Sequence, residues 1–137
     1  MSDLKSTPRR EFRNVDFQLI TTKYRMPFAA KVSILHRVSG ALIFLSLPLL
    51  ITLFMYSVAN PFTFAALTEG GVGFFLKLIL LVVLWGFMHH LCAGIRFLIL
   101  DLHIGMDKVT AQKSAKIVLG VSLTLTVIFA IKLFGVL

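Results

Sequence analysis

The sequence predicts an all-α integral membrane protein: three transmembrane helices, with the N-terminus in the cytoplasm. Three observations carry this. First, 58% of the 137 residues are hydrophobic and 15% are charged, with a mean hydropathy of +0.91, too little polar surface to cover a soluble domain. Second, the apolar runs Val32–Val58, Phe74–Leu100 and Ala115–Leu137 each exceed the roughly 20 residues that cross a hydrocarbon core. Third, eight of the fourteen Lys and Arg residues lie within the first 37 positions, the loop after the first span has none before Lys77, and the loop after the second has Lys108, Lys113 and Lys116. The positive-inside rule then puts the N-terminus and the second loop on the cytoplasmic (or organellar matrix) side, and the C-terminus on the far side.

That distribution accounts for the net charge of +8 without nucleic acid. The expectation is one domain, 1–137: a basic cytoplasmic arm (1–28) followed by a three-helix region (29–137). So little aqueous mass leaves no room for a soluble active site. Cys92 is the lone cysteine, so no internal disulfide forms.

Residues 1–28 are polar and basic, interrupted by Pro8 and Pro27. They do not read as a secretory signal, because the first apolar run is far too long for one. The alternation in Asn14–Ile20 suits a short strand or a partly buried arm. Such a basic tail suits either anionic membrane lipid or a soluble partner.

The first span opens with SILHRVSG, Ser33–Gly40. Ser33 and Arg37 are one turn apart on one face, and Gly40 lies about 20° from Ser33 around the axis. A hydroxyl, a guanidinium and a bare backbone patch therefore line up near the cytoplasmic interface. A lone arginine there would simply snorkel. Three polar side chains within five residues, with His36 included, point instead to a ligand. Pro48 is expected to kink this span, which membrane helices tolerate. Ala59–Gly73 reads as a charge-poor loop of turn formers with no chemistry of its own.

The second span ends in MHHLCAGIRFLILD, Met88–Asp101. Ionisable groups at membrane depth cost roughly 2.5–3.5 kcal/mol each by insertion scales and default to function. His90 has Gly86 one turn before it and Gly94 one turn after, a notch in which a flat ligand such as a porphyrin could lie. His89, about 100° away and flanked by Trp85 and Ala93, is the poorer ligand. Arg96 lies off the His90 face, near the cytoplasmic end. Asp101, His103 and Asp107 read as solvated groups rather than a metal site. The third span, entered past Lys113 and Lys116, reads as packing and anchoring. In it Gly120 offers close helix approach, and Lys132 snorkels.

Depth adds a constraint. His90 lies about 16 Å in from Asp101, whereas His36 lies about 7 Å from the same surface. Different depths would bar the two from facing each other across one upright haem. His90 would hold the iron and His36, with Arg37, would face the propionates. A second axial ligand would then come from another helical chain.

SILHRVSG, together with H-x₃-GIR at His90–Arg96 and the following Asp101, resembles the cytochrome b membrane-anchor subunit of succinate dehydrogenase, respiratory complex II, and its bacterial branch in particular. The likeness covers the whole chain. It implies that His90 is an axial ligand of haem b shared with a second anchor subunit, and that His36 lies near the propionates. It implies further that Ser33 and Arg37 border a ubiquinone headgroup, with Asp101 at the quinone-side interface. The partners implied are that second anchor, an iron–sulfur subunit and a flavoprotein subunit, in a bacterial inner membrane. Bacterial relatives often follow GIR with histidine, where this chain has Phe97. No residue here could oxidise succinate. The competing readings are a menaquinol-linked fumarate reductase anchor, a small transporter component using His90 and Asp101 as a proton relay, and a purely structural anchor.

Overall fold

A computed structural model describes Gln18 and residues 26–135. The basic arm, with its candidate strand Asn14–Ile20, thus lies almost wholly outside the described residues. Those residues form helices α1 (Phe28–Ala59), α2 (Pro61–Thr68), α3 (Gly70–Asp101) and α4 (Lys108–Leu133), with no strand among them. The expected all-helical class is what is found. By length and composition α1, α3 and α4 can each cross a membrane.

Local signals set the ends of these helices. The α1 helix begins after Pro27, whose carbonyl accepts from the Ala30 and Lys31 amides at 3.0 and 3.2 Å. Its Ala29 N–H is satisfied from a different helix, by Gln112 Oε1 at 3.3 Å. At 32 residues, α1 extends about 48 Å, well beyond a core of roughly 30 Å. It continues without a break through Pro48.

Where the sequence suggested an irregular loop, α2 is a real helix. Asn60 caps it by accepting from the Thr63 amide at 2.9 Å, and Pro61 fills the first helical position, where its missing N–H costs nothing. The third long helix likewise starts earlier than its apolar run. Asp107, expected to be a solvated loop residue, is the N-cap of α4 and accepts from the Thr110 amide at 2.9 Å. The α3–α4 turn places His103 in the left-handed region (φ 61°), with its N–H bonded to the Leu100 carbonyl at 2.9 Å, a common way to close a helix C-terminus.

Packing is inverted relative to a soluble protein. The seam where the three long helices meet is made of small residues, Val32, Ala93, Ala115 and Val118. Buried with them are Ser39, Ser46, His89, Arg96, Ser122 and Thr126, while large apolar side chains such as Phe44, Phe54, Phe75 and Leu98 face outward. Where lipid is as apolar as leucine, helices associate by close approach at small residues and by interhelical hydrogen bonds. Several buried hydroxyls also return to their own helix: Ser46 Oγ donates to Ile43 O at 2.8 Å and Thr126 Oγ1 to Ser122 O at 2.7 Å.

Two expectations follow. A Cβ at Gly73 would run into the Thr68 carbonyl group, whereas one at Gly120 meets nothing. Gly73→Ala should therefore lower thermal stability in detergent by about 1–3 kcal/mol, and Gly120→Ala should be neutral or stabilising by up to about 1 kcal/mol. The Thr110 amide and hydroxyl hold the Asp107 carboxyl below the usual carboxylate range. Its capping contribution is thus complete above the ordinary carboxylate pKa and is lost as pH falls through the lowered value. Asp107→Ala should speed amide exchange at Thr110 near neutral pH, and that difference should vanish in strong acid.

Candidate functional site

The site is built where α1 and α3 run antiparallel and touch at glycines. A Cβ on Gly40 would lie 2.8 Å from His90 Cε1, one on Gly86 2.9 Å from Leu42 Cδ2, and one on Gly94 3.6 Å from His36 Nε2. Each advance along α1 is matched by a comparable step back along α3. The glycines therefore let two helices approach closely, one helix's side chains filling the other's gaps.

This corrects two expectations. The α3 notch does not stand open on either side of His90, because Leu42 covers Gly86 and His36 covers Gly94; His90 instead crosses onto Gly40. Nor are the two histidines at different depths. Their rings stack, with centroids 4.2 Å apart and planes 12° from parallel. The expected offset rested on starting the first helix near Val32. With α1 beginning at Phe28, His36 is about 12 Å from its helix end, much closer to the level of His90.

The hydrogen bonds around His90 define its chemistry. Nδ1 lies 3.0 Å from the His36 carbonyl, which can only accept, so Nδ1 carries the proton and donates. Ser39 Oγ stands 3.4 Å from the same nitrogen and itself donates to the His36 carbonyl at 2.9 Å. Nε2 is left with its lone pair and no hydrogen bond among the described residues. A carbonyl-anchored Nδ1–H with a free Nε2 is the arrangement found when an imidazole ligates metal.

Ser39 had been given no role in the sequence reading. Its spacing carried the signal, since a serine three residues after His36 can bond back to that carbonyl.

His36 also meets the Phe97 ring, tilted by 51° with centroids 5.1 Å apart. Phe97 packs there without offering a hydrogen-bonding atom, and the Arg96 guanidinium lies 5.3 Å from the same ring.

The remaining candidates are not gathered around His90. Ser33 is half-buried and Arg37 exposed, and neither makes a hydrogen bond among the described residues. They sit one turn apart on α1, Ser33 before and Arg37 directly after His36. Asp101 is exposed at the last position of α3 and makes no contact with His90 that would pass a proton. His89 points to α4, fully buried and stacked on Trp85 at 5.6 Å, with Nδ1 3.4 Å from Ser122 Oγ. Its Nε2 is sealed in without a well-formed hydrogen bond, although the Val32 backbone faces the ring. Among the described residues no three His, Cys, Asp or Glu side chains cluster to hold a bare metal ion. Asp101, His103 and Asp107 form no such group.

The described helices thus define a multi-pass membrane protein with an imidazole held across an interhelical seam and a free nitrogen at its tip. Comparison with known proteins gives the family. Residues 10–129 match the family described as "Succinate dehydrogenase/Fumarate reductase transmembrane subunit", and the chain belongs to it. The "Succinate dehydrogenase cytochrome b556 subunit" of Paracoccus denitrificans is 31% identical over 114 residues, covering 81% of this chain and 85% of that protein. The protein of the same description from Coxiella burnetii (strain RSA 493 / Nine Mile phase I) is 36% identical over 85 residues, covering 59% of this chain and 66% of its own length.

Proposed function

We propose that this chain is the haem b-binding anchor of a bacterial succinate:quinone oxidoreductase, and that it forms part of the quinone-reduction site. The observation that carries the reading is the 3.0 Å contact of His90 Nδ1 with the His36 carbonyl. The carbonyl accepts a hydrogen bond from Nδ1–H, which leaves the Nε2 lone pair free within the span, and a neutral imidazole nitrogen of that kind would suit haem iron. The relatives' description as cytochrome b556 subunits supports the same group.

The residues present fit a haem. His90 would hold the iron. Gly40 admits the ring edge that any side chain would displace, and His36 lies beside it, where a propionate could be met. When bound, the group supplies one-electron transfer. The chain's own part is to fix the imidazole, exclude water with an outer surface of Leu, Ile and Phe, and raise ligand basicity through the Nδ1–H bond. His36 stacks face to face on His90, so it would not share the iron with it, and a second protein ligand would be supplied by a second anchor subunit.

Ser33 and Arg37 are proposed to hydrogen-bond the ubiquinone carbonyl, and Asp101 to lie at the same interface. Arg37 is permanently charged and exposed. It can therefore stabilise negative charge developing on the quinone oxygen as electrons arrive, as preorganised donors do for other oxyanions. Electrons from succinate would reach the quinone through a flavoprotein and an iron–sulfur subunit, and two protons would complete the quinol. The cytoplasmic N-terminus belongs to this reading, which places Arg37 beside those soluble partners. Because the family description spans fumarate reductases as well, the reaction's direction is tested by which quinone restores turnover.

In the assembled complex, His90→Ala should lose most of the reduced b-type haem absorbance, and Gly40→Val should weaken it by displacing the ring. An unchanged spectrum in His90→Ala would refute the assignment. Arg37→Ala should lower kcat/KM for ubiquinone reduction by about 10²-fold, and Ser33→Ala by roughly tenfold. Succinate oxidation by a soluble dye should be unaltered in both. Normal ubiquinone kinetics in Arg37→Ala would favour a purely structural anchor.

A further inference from the structure

A second feature lies on the other side of α3. Arg96 is only 6% exposed, yet no carboxylate accompanies it. Its Nε donates to Ser114 Oγ at 2.9 Å and its Nη2 to the Ala111 carbonyl at 3.0 Å, and it forms no ion pair among the described residues. The acids at this end, Asp101 and Asp107, are exposed at helix ends and line no wall of its groove. A guanidinium carries five N–H donors, so more than half of them are left over. The Nη1 end is not closed in, since the one buried side-chain nitrogen or oxygen without a partner among the described residues is His89 Nε2. A charge taken out of water without a counter-ion is costly, and its free donors here open into a groove.

That groove, of about 290 Å³, runs between α3 and the first half of α4. Arg96, Thr110 and Ser114 are its polar lining; Ile99 and Leu100 lie beyond Arg96 toward the end of α3, and Ile95 and Ile117 line its deeper part. Those three isoleucines are exposed. Arg96 lies five residues before the end of α3, about 7 Å along the axis, at the boundary between headgroups and acyl chains. Exposed Lys108, Lys113 and Lys116 surround the same end. A buried cation at headgroup depth above an apolar trough complements one chemistry: an anionic phosphate carrying an acyl chain.

We propose that this groove binds an acidic phospholipid, its phosphate on the free donors of Arg96 and one acyl chain running inward along Ile95 and Ile117. A planar guanidinium fork suits phosphate geometry. A lipid is favoured over a partner helix because Arg96 is about 120° around α3 from His90. The subunit that completes the haem site meets the α1 side and leaves this face to the bilayer, a clause that rests on the proposed haem reading.

The test uses the assembled complex in nanodiscs of equal parts phosphatidylcholine and phosphatidylglycerol, with retained lipid counted by native mass spectrometry. The unaltered complex should retain phosphatidylglycerol selectively. Arg96→Gln should weaken that retention roughly tenfold or more, and Arg96→Lys should restore part of it. Both should keep the reduced haem spectrum, which separates this site from the one at His90. Equal retention in Arg96→Gln, or no preference for phosphatidylglycerol over phosphatidylcholine, would overturn the proposal. If Arg96→Gln does not assemble, Ile117→Trp decides, because it fills the trough without touching the guanidinium's bonds. Retention undiminished in Ile117→Trp overturns the proposal, and loss supports it.

Discussion

The close antiparallel approach of α1 and α3 is the constraint on which the rest depends. Gly40 removes the one side chain that would collide with the His90 imidazole. Once the helices are that near, the His36 carbonyl comes within 3.0 Å of His90 Nδ1, the two rings stack, and Ser39 closes the third side. A backbone carbonyl inside a helix can accept beyond its own ladder, and the His36 carbonyl is shared by His90 Nδ1 and the buried Ser39 hydroxyl. Spreading the helices apart would undo orientation, tautomer and stack together.

The same economy of polar groups runs along the other seam. Arg96 ties α3 to Ser114 and Ala111, and Gln112 of α4 accepts from the Ala29 amide at the half-buried start of α1. Together these contacts make a polar layer across all three long helices at one end of the bundle. Further in, Ser122 and Thr126 are buried with His89 on the α3–α4 side. Each such bond in a membrane is worth only about 0.6 kcal/mol on average. Their value therefore lies in register: each is satisfied at one sliding position of the helices and unsatisfied at the others.

The two faces of α3 are consequently specialised. One presents His90 to α1 and to whatever completes the site beside it; the other presents Arg96 to α4 and an apolar trough. Phe97 contacts both His36 and Arg96, an apolar ring that adds no titratable proton to either neighbourhood.

The class of the fold was legible in the sequence alone, and so was the presence of an imidazole well inside the second span. Hydrocarbon thickness makes length and apolarity sufficient to define a span, and an ionisable group deep inside one is costly enough to single itself out. The helix caps were also written there, in Asn60–Pro61 and Asp107, although turn-forming composition around them suggested loops. Which glycine serves which histidine was decided only by tertiary structure. Periodicity places residues on one helix's face but says nothing about the neighbour's register, so Gly86 and Gly94 looked open and His36 looked shallow. Only the meeting of two helices, matched residue against residue over several turns, could show that the notch was already filled and that the tautomer of His90 is set by a carbonyl 54 positions away.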